Sequence, residues 1–246
     1  MGSTSADFGT IQQGIASDGF ALLRGVYDTD ECRRLGDELD AALVASADDK
    51  TVLRRANGTI YGARNLLTVF PSARTLWRKP RILELLAGML GEQAGLVRGL
   101  YFDKPPESTW SLPWHQDLTI AVRDHSLPSE RFCNRTVKAG VPHVEAPDEL
   151  LRQMLTLRIH LDDVTEENGP LQVLPGTHVA RDVPASRPPV TILAAAGDVL
   201  AMRPLLSHSS GVSHPESTRR RRVIHLEFAA TRELGDGYAW HDFVAV

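Results

Sequence analysis

Met154-Leu155-Thr156-Leu157-Arg158-Ile159-His160-Leu161 alternates polar and apolar side chains over its centre, and that alternation decides the fold. On an extended strand successive side chains point to opposite faces, so Thr156, Arg158 and His160 share one face and Leu157 and Ile159 the other. A polar face of this kind predicts the lumen of a barrel-like domain. Working outward, further short apolar runs stand at 96–102, 171–174, 190–193, 199–202 and 223–228, separated by Gly, Pro and Asn. Asn168-Gly169 and Gly197-Asp198 are turn signals. Many short strands at this spacing predict a sandwich or jelly roll.

Upstream the pattern changes. Asp28 precedes Thr29-Asp30-Glu31, which reads as a helix N-cap with an acidic third residue. Cys32, Leu35, Leu39, Leu43 and Val44 then recur at helical spacing. A second helix is predicted over about 72–90, stopped by Gly91. Phe20-Ala21-Leu22-Leu23-Arg24 is short enough for a strand. The chain therefore reads as one domain, 1–246, mainly β with flanking helices. Residues 1–94 form a mostly helical part packed on one sheet, and 95–230 form a β core. Residues 121–151 fit neither pattern: they carry charges and prolines with little periodicity, and they directly follow the histidine motif described next. They are read as a lid insertion.

The net charge of −4 directs attention away from nucleic acid and anionic membranes. No stretch approaches the roughly 18 apolar residues of a membrane span. Residues 1–10 lack the basic start and apolar run of a secretory signal. The two cysteines, Cys32 and Cys133, have no metal-site or disulfide spacing and read as reduced thiols, so the cytoplasm is expected.

His115 and Asp117 lie two residues apart in Pro113-Trp114-His115-Gln116-Asp117-Leu118. On a strand this presents an imidazole and a carboxylate side by side. A third ligand from a distant strand completes a facial triad with open positions for a bidentate 2-oxo acid and dioxygen. His208, at the end of an expected strand in Leu205-Leu206-Ser207-His208-Ser209-Ser210, is the candidate. After a polar loop come Arg219 to Arg222. A buried arginine there can grip the distal carboxylate of 2-oxoglutarate through two parallel hydrogen bonds. Two of the four are read as solvated.

These blocks, with Asp103-Lys104-Pro105-Pro106, Asn168-Gly169-Pro170-Leu171, Leu174-Pro175-Gly176-Thr177-His178 and Arg221-Arg222-Val223-Ile224-His225, resemble the phytanoyl-CoA dioxygenase family of iron(II)/2-oxoglutarate-dependent oxygenases. The resemblance runs from about residue 96 to 228. It implies a double-stranded β-helix, Fe(II), 2-oxoglutarate and O2. It implies that His115, Asp117 and His208 are the metal ligands, and that an arginine of the last strand, with Ser210 nearby, anchors 2-oxoglutarate. The family's spacing from the last histidine points to Arg219, but the register of the strand that follows favours Arg221. Arg158 is a further candidate contact. His178 resembles a loop histidine that is not a ligand. The reaction implied is hydroxylation of a small molecule coupled to decarboxylation of 2-oxoglutarate to succinate. The carboxylate at Asp117 favours this over halogenation.

Two other readings stay open. Two histidines and an aspartate can hold zinc and a hydrolytic water, which leaves the arginine strand and Ser210 without a role. A non-catalytic ligand-binding jelly roll is the other. His225 shares the face of Arg221 and Glu227. His125 and His143 fall in the expected lid, His214 in a loop, and His241 near the exposed C-terminus. Tyr61, Arg64 and Asn65 form a polar cluster that could reach the site, with an ordinary loop as the leading reading. Arg123, Arg131, Arg135 and Lys138, mixed with Asp124, Glu130 and Glu145, fit an anionic substrate or a solvated loop equally. Composition says nothing about substrate identity or oligomeric state.

Overall fold

The alternating stretch forms a strand at the middle of the larger of two facing sheets. The computed structural model describes residues 4–46, 49–106 and 109–246, with the side chains of the first helix from Phe8 onward. In chain order the elements are α1 (Thr4–Asp18), β1 (Phe20–Leu23), α2 (Thr29–Ala45), β2 (Val52–Arg54), β3 (Ile60–Ala63), α3 (Leu66–Val69), α4 (Pro80–Leu90), β4 (Gly95–Lys104), β5 (Leu112–His115) and β6 (Thr119–Ala121). They continue with β7 (Cys133–Lys138), β8 (Val141–Glu145), α5 (Asp148–Leu151), β9 (Met154–His160), β10 (Leu171–Val173), β11 (Val190–Ile192), β12 (Val199–Met202), β13 (His208–Ser210), β14 (Arg221–Ala229) and β15 (Val244–Ala245).

The large sheet runs β1-β12-β9-β14-β4-β3-β2, with β15 paired to β4; the small sheet runs β11-β10-β13-β5. All the pairings are antiparallel, and the two sheets make a double-stranded β-helix. The alternation sorts the side chains. Leu155, Leu157 and Ile159 of β9, with Ile224, Leu226 and Phe228 of β14, join an apolar cluster with Ile11 and Ile15 of α1, Leu39 and Leu43 of α2, and Ile82, Leu85 and Leu86 of α4. Trp77 stands edge-on to Phe228, their ring centroids 5.8 Å apart. The inward faces carry Thr156, Arg158, Arg221, His225 and Glu227, all buried. Leu171, Val173, Ile192, Leu200, Met202 and Leu206 form a separate small apolar cluster between the two sheets. Among the described residues no helix is long and apolar enough to cross a membrane.

Several expectations are corrected. The helix expected from about 72 starts at Pro80, because the residue before a proline is pushed out of the helical region; Lys79 is extended, at ψ 139°. Residues Pro71–Arg74 make only a short 3-10 turn. The first 94 residues also contain β2 and β3, which extend the large sheet. α2 has the expected capping box between Asp28 and Glu31, but Val44 is 65% exposed. The buried stripe is Cys32, Gly36, Leu39 and Leu43. Asn168-Gly169 does mark a turn, closing a 3-10 turn on the connection between β9 and β10, which belong to different sheets. Residues 121–151 are not without secondary structure. β6, β8 and β7 form a third sheet there, with Ile120, Phe132, Val144 and Leu151 in an apolar cluster that includes Val97 and Trp240.

Candidate metal centre

The site begins with a strand pairing. His115 ends β5 and His208 opens β13, and the two are direct partners across the antiparallel pair. Facing residues hold their side chains close, and the ring centroids here are 4.2 Å apart. Asp117 follows two residues after His115, with its backbone N–H bonded to the Pro204 carbonyl at 2.9 Å. Gln116 between them points the other way and donates to the Ala180 carbonyl at 3.0 Å, which keeps His115 and Asp117 on one side. The carboxylate lies 3.9 Å from Nε2 of His115 and 3.7 Å from Nε2 of His208. One ligand atom from each of the three lies within 4.8 Å of the others.

Both rings are oriented from behind. Nδ1 of His115 meets the Pro113 carbonyl and Nδ1 of His208 the Leu206 carbonyl, each at 2.8 Å. A carbonyl only accepts, so each Nδ1 carries a proton, and Nε2 is the ring nitrogen turned toward Asp117. Burial pushes His208 down to about 4, so it is neutral at neutral pH. Burial works against the Asp117 charge, but the facing imidazoles, His208 first, and Arg98 hold its pKa below the ordinary value. Two imidazole nitrogens and a carboxylate converging on one point are a donor set that fits a divalent transition metal.

The triad opens on a cavity of about 310 Å³. At one end stands Arg221, 2% exposed, with Nε and Nη1 unpartnered. Burial first, then Arg158, pushes its pKa down to about 9. Beside it Lys104 is fully buried and donates to Ser210 Oγ at 3.1 Å and to the Gly169 carbonyl at 3.3 Å. Burial, reinforced by Arg221 and Arg158, pushes Lys104 down to about 6. Arg158, brought to about 10 chiefly by burial, donates from Nη1 to Nδ1 of His225 at 3.2 Å. His225 Nε2 lies 3.3 Å from Glu227, which accepts from Arg98 at 3.2 Å. Arg158, Ser210, Arg221 and His225 all line the cavity.

Arg219 does not. β14 begins only at Arg221, and Arg219 is exposed in the loop before it. The two remaining arginines are not solvated as expected. Arg220 pairs with Asp103 and Asp40, and Arg222 with Asp162 and Asp40. Tyr61 and Arg64, expected in an ordinary loop, line the cavity, whereas Asn65 instead donates to the Ala139 carbonyl at 3.4 Å. His178 bonds the Ala16 carbonyl through Nε2, away from the triad. His143 and His160 are buried without lining the cavity. Arg98, which lines the cavity, was not singled out, and Lys138 was weighed only among the mixed charges of residues 121–151. For Arg98 the signal was available, because Arg98, Leu100 and Phe102 share one face of β4.

Comparisons with known proteins bear on the fold and the family. A protein from Stutzerimonas stutzeri described as a probable alpha-ketoglutarate-dependent hypophosphite dioxygenase is 26% identical over 180 residues, 70% of this chain. The chain spans only 54% of that relative's length. The crystal structure of EvdMO1 superposes with a TM-score of 0.64 at 25% identity, covering 90% of this chain and 50% of that one. EctD from S. alaskensis with bound Fe shares the fold, with a TM-score of 0.68 at 18% identity over 92% of this chain and 76% of that one. EctD has also been crystallised with 2-oxoglutarate and 5-hydroxyectoine. The phytanoyl-CoA dioxygenase (PhyH) family model matches residues 15–222, and the chain belongs to that family.

Proposed function

We propose that this protein is a non-haem iron(II) oxygenase that couples decarboxylation of 2-oxoglutarate to hydroxylation of a small molecule. The observation that carries this reading is the convergence of two imidazole Nε2 atoms and the Asp117 carboxylate beside a buried arginine with unpartnered donors. His115, Asp117 and His208 hold the metal. Arg221, with Lys104 and Ser210 next to it, takes the distal carboxylate of 2-oxoglutarate, and Arg158 lies further along the same wall. Bound iron and 2-oxoglutarate supply the oxidising power from dioxygen; substrate C–H, 2-oxoglutarate and O2 give substrate C–OH, succinate and CO2.

The chain's own work is to orient and to exclude. The backbone carbonyls behind His115 and His208 fix the imidazole tautomers. Arg221 offers a planar pair of donors in a dry corner, where a charge-assisted bond is strongest. Phe102, Leu100 and Leu112 keep the wall between apolar. A zinc hydrolase would leave the Arg221–Lys104–Ser210 corner without work. Cys32 and Cys133 are both free thiols, which supports a reducing, cytoplasmic setting.

The test is anaerobic titration of the Fe(II)-loaded protein with 2-oxoglutarate, followed by succinate formation in air. Wild type is expected to bind both and to turn over. His115→Ala and Asp117→Ala should lose iron. Arg221→Gln should weaken 2-oxoglutarate by ~30-fold or more, corresponding to roughly 2 kcal/mol or more for losing one partner of a buried charged pair. Arg219→Gln should stay within about twofold, as a solvated surface charge does. Absence of iron and 2-oxoglutarate binding in wild type would sink the reading.

A further inference from the structure

The same cavity has a second cationic wall that the chemistry above leaves unused. Arg64 follows β3, Arg98 lies on β4, and Lys138 ends β7 at the tip of the β7–β8 hairpin; all three line the cavity. On the inward face of β14, Arg221 pairs in register with Lys104 and Glu227 with Arg98. These two points are ~20 Å apart along the strand at ~3.3 Å per residue. The two basic groups therefore occupy opposite ends of the pocket.

Thr119 ties the second group together. Its carbonyl accepts from Nη1 of Arg98 at 3.4 Å and its hydroxyl from Nζ of Lys138 at 2.7 Å. Two successive left-handed residues, Ala139 (φ 52°) and Gly140 (φ 82°), turn the hairpin tightly. Asn65 holds the tip by its bond to the Ala139 carbonyl. Arg98 has Glu227 as its ion partner. Among the described residues, neither Arg64 nor Lys138 has a carboxylate within ion-pair distance. Burial first and then Arg98 lower the pKa of both, so the cations feel one another.

Crowding three cations into a concave site beside Glu227, with Asp117 the other carboxylate of the cavity and assigned to the metal, costs desolvation and repulsion. An arriving anion would offset both. We propose that the substrate is a small organic anion whose carboxylate, phosphate or phosphonate group is held by Arg64, Arg98 and Lys138. This rests on the oxygenase reading and names its substrate class. The apolar side chains of Leu53, Leu100 and Leu112 suit a short hydrocarbon body. The volume of about 310 Å³, shared with 2-oxoglutarate, limits its size.

The experiment uses Fe(II)- and 2-oxoglutarate-loaded protein without oxygen, titrated calorimetrically with butyrate, propylphosphonate, butyramide and butylamine. At least one of the two anions is expected to bind, and the amide and amine are not. Preference for butyrate or for propylphosphonate identifies which anionic group the site takes; either supports the proposal. Arg64→Gln and Lys138→Gln should each weaken the anion about tenfold or more and leave 2-oxoglutarate affinity unchanged, which also reports that the variants are folded. Arg221→Gln should do the reverse. Equal binding of butyramide, or anion affinity unmoved in both variants, overturns the proposal, as does failure of both anions while 2-oxoglutarate still binds. Failure of 2-oxoglutarate itself to bind wild type fells the oxygenase reading and this one with it.

Discussion

Neighbours in sequence can do opposite work. Arg221 points into the cavity with free donors, while Arg222 turns outward to Asp162 and Asp40, because adjacent strand residues face opposite sides. Gly197 shows the same sensitivity to a single position. It sits at φ +91°, and a Cβ there would lie 2.0 Å from the Tyr27 carbonyl oxygen. Its own carbonyl accepts from the backbone of Val26 and Tyr27, joining the β1–α2 connection to the β core. Gly197→Ala should therefore destabilise by ~3 kcal/mol or more, since backbone strain and a backbone clash add. Urea unfolding would measure this, and a loss below about 1 kcal/mol would refute it. The pairing of His115 with Asp117 was legible because residues two apart share a strand face, whereas His208 and Arg221 entered through the family resemblance and the register of the last strand. Arg64, Arg98 and Lys138 were not, because they come from three separate stretches. Only their pairing in space distinguishes Lys138 from the other charges of residues 121–151.

Elements differ in how clearly they announce themselves. β9 and β14 are long, alternate cleanly, and were read from pattern alone. β2 and β3 are too short for a period to stand out among Arg, Asn and Gly. The β6–β8–β7 sheet was hidden because its core comes from elsewhere: Phe132 and Val144 bury against Val97 and Trp240, far apart in the chain. This sheet carries His143, 1% exposed, with Nε2 unpartnered. Burial first, then Arg98, pushes its pKa from 6.5 down to about 4. Between those values the unfolded chain binds more protons than the folded one, so stability rises with pH through the window and is complete above about 6.5. The contribution lost on acidification is on the order of 3 kcal/mol. In His143→Leu, urea unfolding at pH values across the window should show a flatter acid limb than wild type. Parallel limbs would contradict the argument.

At the scale of the whole molecule, the site joins the two sheets. His115 and His208 belong to the small sheet and Arg221 to the large one. A ligand held by both stabilises the sandwich as a unit. At a hundredfold excess over Kd, linkage predicts about 2.7 kcal/mol, or roughly 5–10 °C in Tm for a chain of this size. Thermal melts with 2-oxoglutarate and manganese(II), in place of oxidisable iron, should show the shift. Arg221→Gln should lose most of it; an unchanged shift would mean that the bound acid does not use the large sheet.

The hairpin that delivers Lys138 has a consequence for how new enzymes arise on this scaffold. The proposed metal and 2-oxoglutarate groups lie on or beside β5, β13 and β14, whereas Lys138 of the proposed anion site ends β7 at the tip of the β7–β8 hairpin. Mutation can rewrite such a turn without disturbing the strands that do the chemistry. Grafting residues 133–145 from a relative should therefore transplant a preference for one acid over another while the host keeps its grip on 2-oxoglutarate.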